Sequence, residues 1–157
     1  MGFNTIYMSR RSHNSKITVK CRLGTNKLNG WDHLQRFIQA CKAGGTTEVI
    51  VHARICVLSG LSPAQNRTIP PLDYSMVHRL AEEFPDMKFG LNGGIKNFAE
   101  ADSHLGRGNS DDCTESRSVY RLPVNSVMMG REAYNNPWIL AQADSHFFGK
   151  KNLCFNR

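Results

Sequence analysis

Apolar and polar residues alternate through KITVKCR (16–22), with Ile17, Val19 and Cys21 on one side and Thr18, Lys20 and Arg22 on the other. A period of two predicts a strand with one apolar face. After Gly30 the spacing lengthens: Trp31, Leu34, Phe37, Ile38 and Cys41 recur at helical intervals, and Gly44-Gly45 stops the helix they predict. TEVIVHAR (47–54) reads as a second strand of the buried, β-branched kind. A long loop, ICVLSGLSPAQNRTIPP, follows and ends in two prolines. Asp73 is placed to cap a helix carrying Tyr74, Val77, Leu80, Ala81 and Phe84 on one stripe. MKFGLNGG predicts a third strand, and Asn97 with Glu100 three residues on predicts a capped third helix. VNSVMMGR predicts a fourth strand, after which Asn136 caps a last helix with Pro137 at its first position.

The order β-α-β-α-β-α-β-α implies parallel strands with helices packed outside them. Four units fall short of the eight that close the common barrel, so the pattern fits a small open sheet or half of a barrel. Residues 106–123 are polar and aperiodic, too long for an ordinary connection, and are expected to form a surface insertion.

Composition narrows the function. Of a formal charge of +7, a net +6 sits in the first 36 residues, where seven basic side chains face Asp32 alone. Such clustering favours a polyanion, nucleic acid before membrane, although a solvated basic surface accounts for it equally well. Five cysteines without a C-x-x-C pair argue against a zinc site or disulfide framework and for a reducing compartment. The leader 1–16 is basic and free of acidic residues, in the manner of organellar transit peptides, and has no apolar segment typical of secretion. A cytoplasmic location is expected, with a mitochondrial or plastid destination left open.

The unusual residues collect where the predicted strands end: Lys20, then His52 and Arg54, then Asn92-Gly93-Gly94, then Gly130-Arg131. Parallel α/β folds bind ligands at the carboxyl ends of their strands. Taken singly, Gly93-Gly94 is a tight turn, Lys20 an edge charge and His52 a core imidazole. Together, two glycine loops that expose backbone N–H groups and a guanidinium able to fork onto oxygens form a phosphate cradle. A cation and an imidazole beside it suit the reduced flavin ring, whose N1–C2=O edge is anionic.

VKCR, VHAR, LSPAQNRTIPPLDY, LNGGI and MMGREAYNNPWIL, over about residues 17–105 and 124–144, resemble the tRNA-dihydrouridine synthase family. The resemblance implies the carboxyl-terminal half of an FMN-binding (β/α)8 barrel, strands 5–8, spanning 17–146 and followed by an unmatched tail, 147–157. It implies FMN-dependent reduction of uridine to dihydrouridine in tRNA, with NADPH as reductant. The family's flavin contacts carry over to Lys20, His52, Asn92, Gly93, Gly94, Gly130 and Arg131. Arg67 matches a tRNA-contacting position; its usual lysine neighbour in the motif is Ala64 here. Nothing in the chain resembles the family's Asn-x-x-Cys-Pro segment, which carries the cysteine that protonates uracil. A catalytically incomplete chain is therefore expected, completed by a second chain or a missing amino-terminal half. The alternative is a non-catalytic, basic RNA-binding half-barrel.

Overall fold

The computed structural model describes residues 18–107 and 123–151. The basic leader, nearly all of the expected insertion and the end of the tail lie outside the described residues. Four strands alternate with helices: β1 Val19–Arg22, α1 Trp31–Ala43, β2 Glu48–His52, α2 Tyr74–Glu83, β3 Lys88–Asn92, α3 Phe98–Leu105 and β4 Ser126–Met128. Two short helices, α4 Arg131–Asn135 and α5 Ala143–Phe148, flank a 3-10 segment, Pro137–Gln142. All pairings are parallel and the sheet order is β1-β2-β3-β4, so each strand lies beside its neighbour in sequence. This is an α/β fold consistent with part of a TIM barrel.

The helices form where the apolar stripes predict. Leu34 and Ile38 of α1 and Val77 and Leu80 of α2 are buried, in one core with Val49, Val51, Phe89 and Leu91 of the central strands. The opposite sheet face differs: Lys20, Arg22, Ile50, His52, Asn92, Ser126 and Met128 are exposed or half-buried. That face is crowded along its middle. A Cβ on Gly90 would lie 2.7 Å from Ser126 Oγ and 3.2 Å from Ile50 Cγ1, so both neighbours lean into the space above β3. The helices therefore clothe one side, and the bare side carries the polar strand ends.

Two helix starts behave as their sequences require. Asp73 accepts a hydrogen bond from Met76 N at the start of α2. Asn97 accepts from Glu100 N at 2.8 Å, while the Glu100 carboxylate accepts from Lys96 N, one residue earlier than in a standard capping box. The end of the chain departs from expectation. A helix forms at 131–135, directly after β4, and Asn136 precedes a 3-10 segment without bonding it through its side chain. Pro137 lacks the N–H that would continue the earlier helix, so the chain breaks there and restarts. Among the described residues no helix is long and apolar enough to cross a membrane.

Candidate functional site at the carboxyl ends of the strands

Because the strands are parallel and in register, Arg22, His52, Asn92 and Met128 share one level on the bare face, at the carboxyl end of the sheet. A cleft of about 270 Å³ opens there, lined by His52, Arg67, Asn92, Gly93, Gly94, Gly130 and Arg131 among others. Of the eight residues expected to contact flavin or tRNA, seven thus meet at one cleft. The eighth, Lys20, is joined to it by a hydrogen bond: its Nζ crosses β2 to donate to Asn92 Oδ1 at 3.2 Å. Asn92 Nδ2 in turn donates to Met128 O at 2.8 Å, tying β1, β3 and β4 together over the cleft floor.

The site is strongly cationic. Burial, and then the charges of Arg22, Lys20, Arg54 and Arg131, hold the His52 imidazole down to about 4, so it is neutral at pH 7. Among the described residues the ion pairs are Lys42–Asp86 and His146–Asp102, and neither involves these cations. The cleft lining itself carries three cations, Arg67, Lys96 and Arg131, against one carboxylate, Glu132, a positive balance that favours an anion. Cys21, beside Lys20 in sequence, points to the other face, and its thiol is pushed up to about 12, chiefly by burial. It is a packing residue, not a reactive thiolate.

The glycines divide into two kinds. Gly93 and Gly94 have φ of +116° and +77°, and a Cβ on Gly94 would come within 2.6 Å of both Leu72 Cδ1 and Tyr74 Oη. These two glycines answer to the protein's own packing. They also stand one turn ahead of α3, where Asn97 accepts from Glu100 N and the Glu100 carboxylate from Lys96 N. Gly130 is different: its φ is −107° and a Cβ there would meet nothing within 4 Å. Chain packing does not demand glycine at 130, and the open space beside its backbone and Arg131 fits the close approach of a phosphate.

Several contributors were not legible as site residues. Tyr74, part of the apolar stripe of α2, donates its hydroxyl to Gly93 O at 2.8 Å and packs edge-on to the His104 ring. Holding the Gly93 carbonyl turns the N–H of the same peptide, that of Gly94, to the opposite side. Arg22 Nη1 donates to Ile55 O and Asn66 O, both at 2.9 Å. Arg54, which the sequence did single out beside His52, does not line the cleft: its Nη1 donates to Thr68 O and Pro70 O. SPAQ (62–65) forms a reciprocal box, with Ser62 Oγ accepting from Gln65 N and Gln65 Oε1 from Ser62 N. The S-x-x-Q spacing was there to be read; it opens the 3-10 turn Gln65–Arg67.

A parallel α/β sheet with an anion cleft at its strand ends is the architecture of a phosphate-anchored ligand site. The dihydrouridine synthase family model matches residues 4–155, and the chain belongs to that family. The chain is 41% identical over 133 residues to the tRNA-dihydrouridine(20/20a) synthase of Yersinia pestis, 84% of this chain and 34% of that protein. It is 39% identical over 140 residues to the enzyme of the same name from Pseudomonas putida, 89% of this chain and 37% of the relative. For Escherichia coli strain K12 the figures are 41% over 137 residues, 87% and 35%. The chain thus spans about a third of the length of the curated relatives it matches.

Proposed function

We propose that this chain is the FMN-phosphate and tRNA-facing half of a tRNA-dihydrouridine synthase, its strands corresponding to strands 5–8 of a (β/α)8 barrel. The single observation that carries this reading is the convergence of Lys20, His52, Asn92, Gly93, Gly94, Gly130 and Arg131 on one cationic cleft. When bound, FMN supplies hydride chemistry for reducing a uridine of tRNA, with NADPH as the source of electrons. The chain's own residues bind and orient. Arg131 and the open backbone at Gly130 take the phosphate, while Lys20, fixed by Asn92, brings a cation toward an anionic ring edge. Neutral His52 retains one N–H to donate and carries no proton that must be lost first. Arg67, exposed at the cleft, faces RNA.

The cleft, about 270 Å³, falls just short of the roughly 300–1,000 Å³ usual for small-molecule sites. One wall of a flavin pocket accounts for that shortfall, and a complementary polypeptide supplies the other wall together with the proton donor. The membrane-free, RNA-directed chemistry belongs in the cytoplasm or an organelle that translates its own messages. Fluorescence titration tests the phosphate reading. FMN should bind and be displaced by inorganic phosphate, riboflavin should bind at least tenfold more weakly, and Arg131→Met should remove the difference. Equal affinity for FMN and riboflavin would sink the cradle.

A further inference from the structure

The loop between β2 and α2 is held by side chains that bond its backbone, Arg22 from the sheet face and Arg54 and Asn66 from within. Arg54 is 8% exposed and its Nη1 donates to two carbonyls, Thr68 O at 3.2 Å and Pro70 O. Asn66, also 8% exposed, accepts from Val57 N and donates to Val57 O, both at 2.8 Å, closing the loop's two arms as a strand pair would. Between these two anchors stands Arg67, whose side chain is exposed and whose carbonyl accepts from Arg131 Nη2 at 3.4 Å. The backbone on both sides of Arg67 is therefore pinned, while its guanidinium is left to the cleft.

We propose that Arg54 and Asn66 are positioning residues for RNA: they lock residues 57–70 so that Arg67 is presented to a nucleic-acid phosphate without an ordering cost on binding. A flexible loop would lose part of its binding free energy to ordering the segment, and a loop already fixed does not. Both bonds leave from one terminal nitrogen, Nη1, and a lysine side chain ends one bond short of it, so a lysine ammonium does not reach the same two carbonyls. The burial of Arg54 matters equally, since few other groups compete for those carbonyls. The inference rests on the reading of Arg67 as an RNA contact and goes beyond it by naming what holds that contact in place.

The test measures tRNA affinity against salt for the full chain and its R67A, R54K, N66D and R54K/R67A variants, with FMN affinity as a parallel readout. R67A should weaken tRNA binding roughly three- to tenfold and lower the slope of log K on log salt by about one. R54K keeps the charge and N66D nearly the volume, so both should fold. Each should reproduce most of the R67A loss, and R54K/R67A should be no weaker than R67A by more than about twofold. FMN affinity in R54K should stay within twofold. Amide exchange of residues 57–69 should quicken in R54K while that of β2 does not, a change that distinguishes loop release from general weakening.

If R67A weakens tRNA binding while R54K and N66D bind as wild type, the locking role is overturned and the Arg67 contact stands. A double variant that loses the sum of both effects overturns it too, because Arg54 would then act independently. If R67A binds tRNA as wild type, the RNA role of Arg67 itself fails, and the inference falls with its premise.

Discussion

His52 is neutral because burial and four neighbouring cations disfavour its proton, and that gives the site a pH signature. In the unfolded chain the imidazole titrates near its ordinary value of about 6.5, whereas in the folded chain it does so at about 4. Between these values the unfolded state binds more protons, so stability falls as pH falls through that window. Burial and His78 lower His104 as well, and it contributes with the same sign. Urea unfolding at pH 7 and pH 5 should show a lower midpoint at pH 5, with a smaller difference in His52→Gln. A bound anion opposes the cations, so inorganic phosphate should raise the His52 pKa, readable from the ring proton shifts. The glycines give a second contrast. Gly94→Ala should cost about 1–3 kcal/mol, because overpacking adds to an unfavourable backbone conformation. Gly130→Ala should leave stability within about 0.5 kcal/mol, as substitutions away from packed features do, yet weaken FMN at least tenfold. Thermal unfolding beside flavin titration separates the two.

Among the elements, α3 has both ends defined, the first foreseen in the sequence and the second shown by the structure. Asn97 begins it and Gly106, with φ of +68°, ends it. Asn97→Ala removes the acceptor for Glu100 N and should cost about 1 kcal/mol, measured as a shift in the denaturation midpoint. Stripes and caps of this kind were legible because their physics is local: Leu34 with Ile38, Val77 with Leu80, Asp73 with Met76 N. The loop from 55 to 71 obeys no period, so its organisation stayed hidden. Its carbonyls are held by Arg22 and Arg54, side chains on β1 and just past β2, more than ten residues away in sequence. Tyr74 was misjudged for a related reason: its ring occupies the stripe its spacing predicts, while its hydroxyl works at the tip of another strand. The split at Pro137 was also missed, because Asn-Pro reads alike as a cap and as a break.

At the scale of the whole molecule, one sheet face is clothed and the other bare, and among the described residues β1 and β4 each have a strand neighbour on one side only. Unpaired strand edges recruit other strands. The chain by itself should self-associate at micromolar concentrations in sedimentation experiments, and a polypeptide completing the barrel should suppress this. The convergence of strand ends was legible because parallel order alone sends every carboxyl end to one rim. The division of labour at that rim was not, since only packing shows that Gly94 serves Tyr74 while Gly130 leaves space open.

Sequential strand order also bears on how the molecule assembles. Val19 pairs with Val49, Glu48 with Lys88 and Gly90 with Ser126, so each new strand closes a loop of comparable length onto the one before. Closure entropy grows only logarithmically, so these three steps differ by a few tenths of a kcal/mol. No pairing waits for a segment synthesised later than its own strand, and the sheet can grow in the order of translation. The cleft is the exception. Asn92 finds its Met128 carbonyl, and Gly130-Arg131 reach the rim, only after β4 docks. Anion binding is therefore a readout of the final folding step, and a ligand present during refolding should stabilise the product without hastening the steps that precede it.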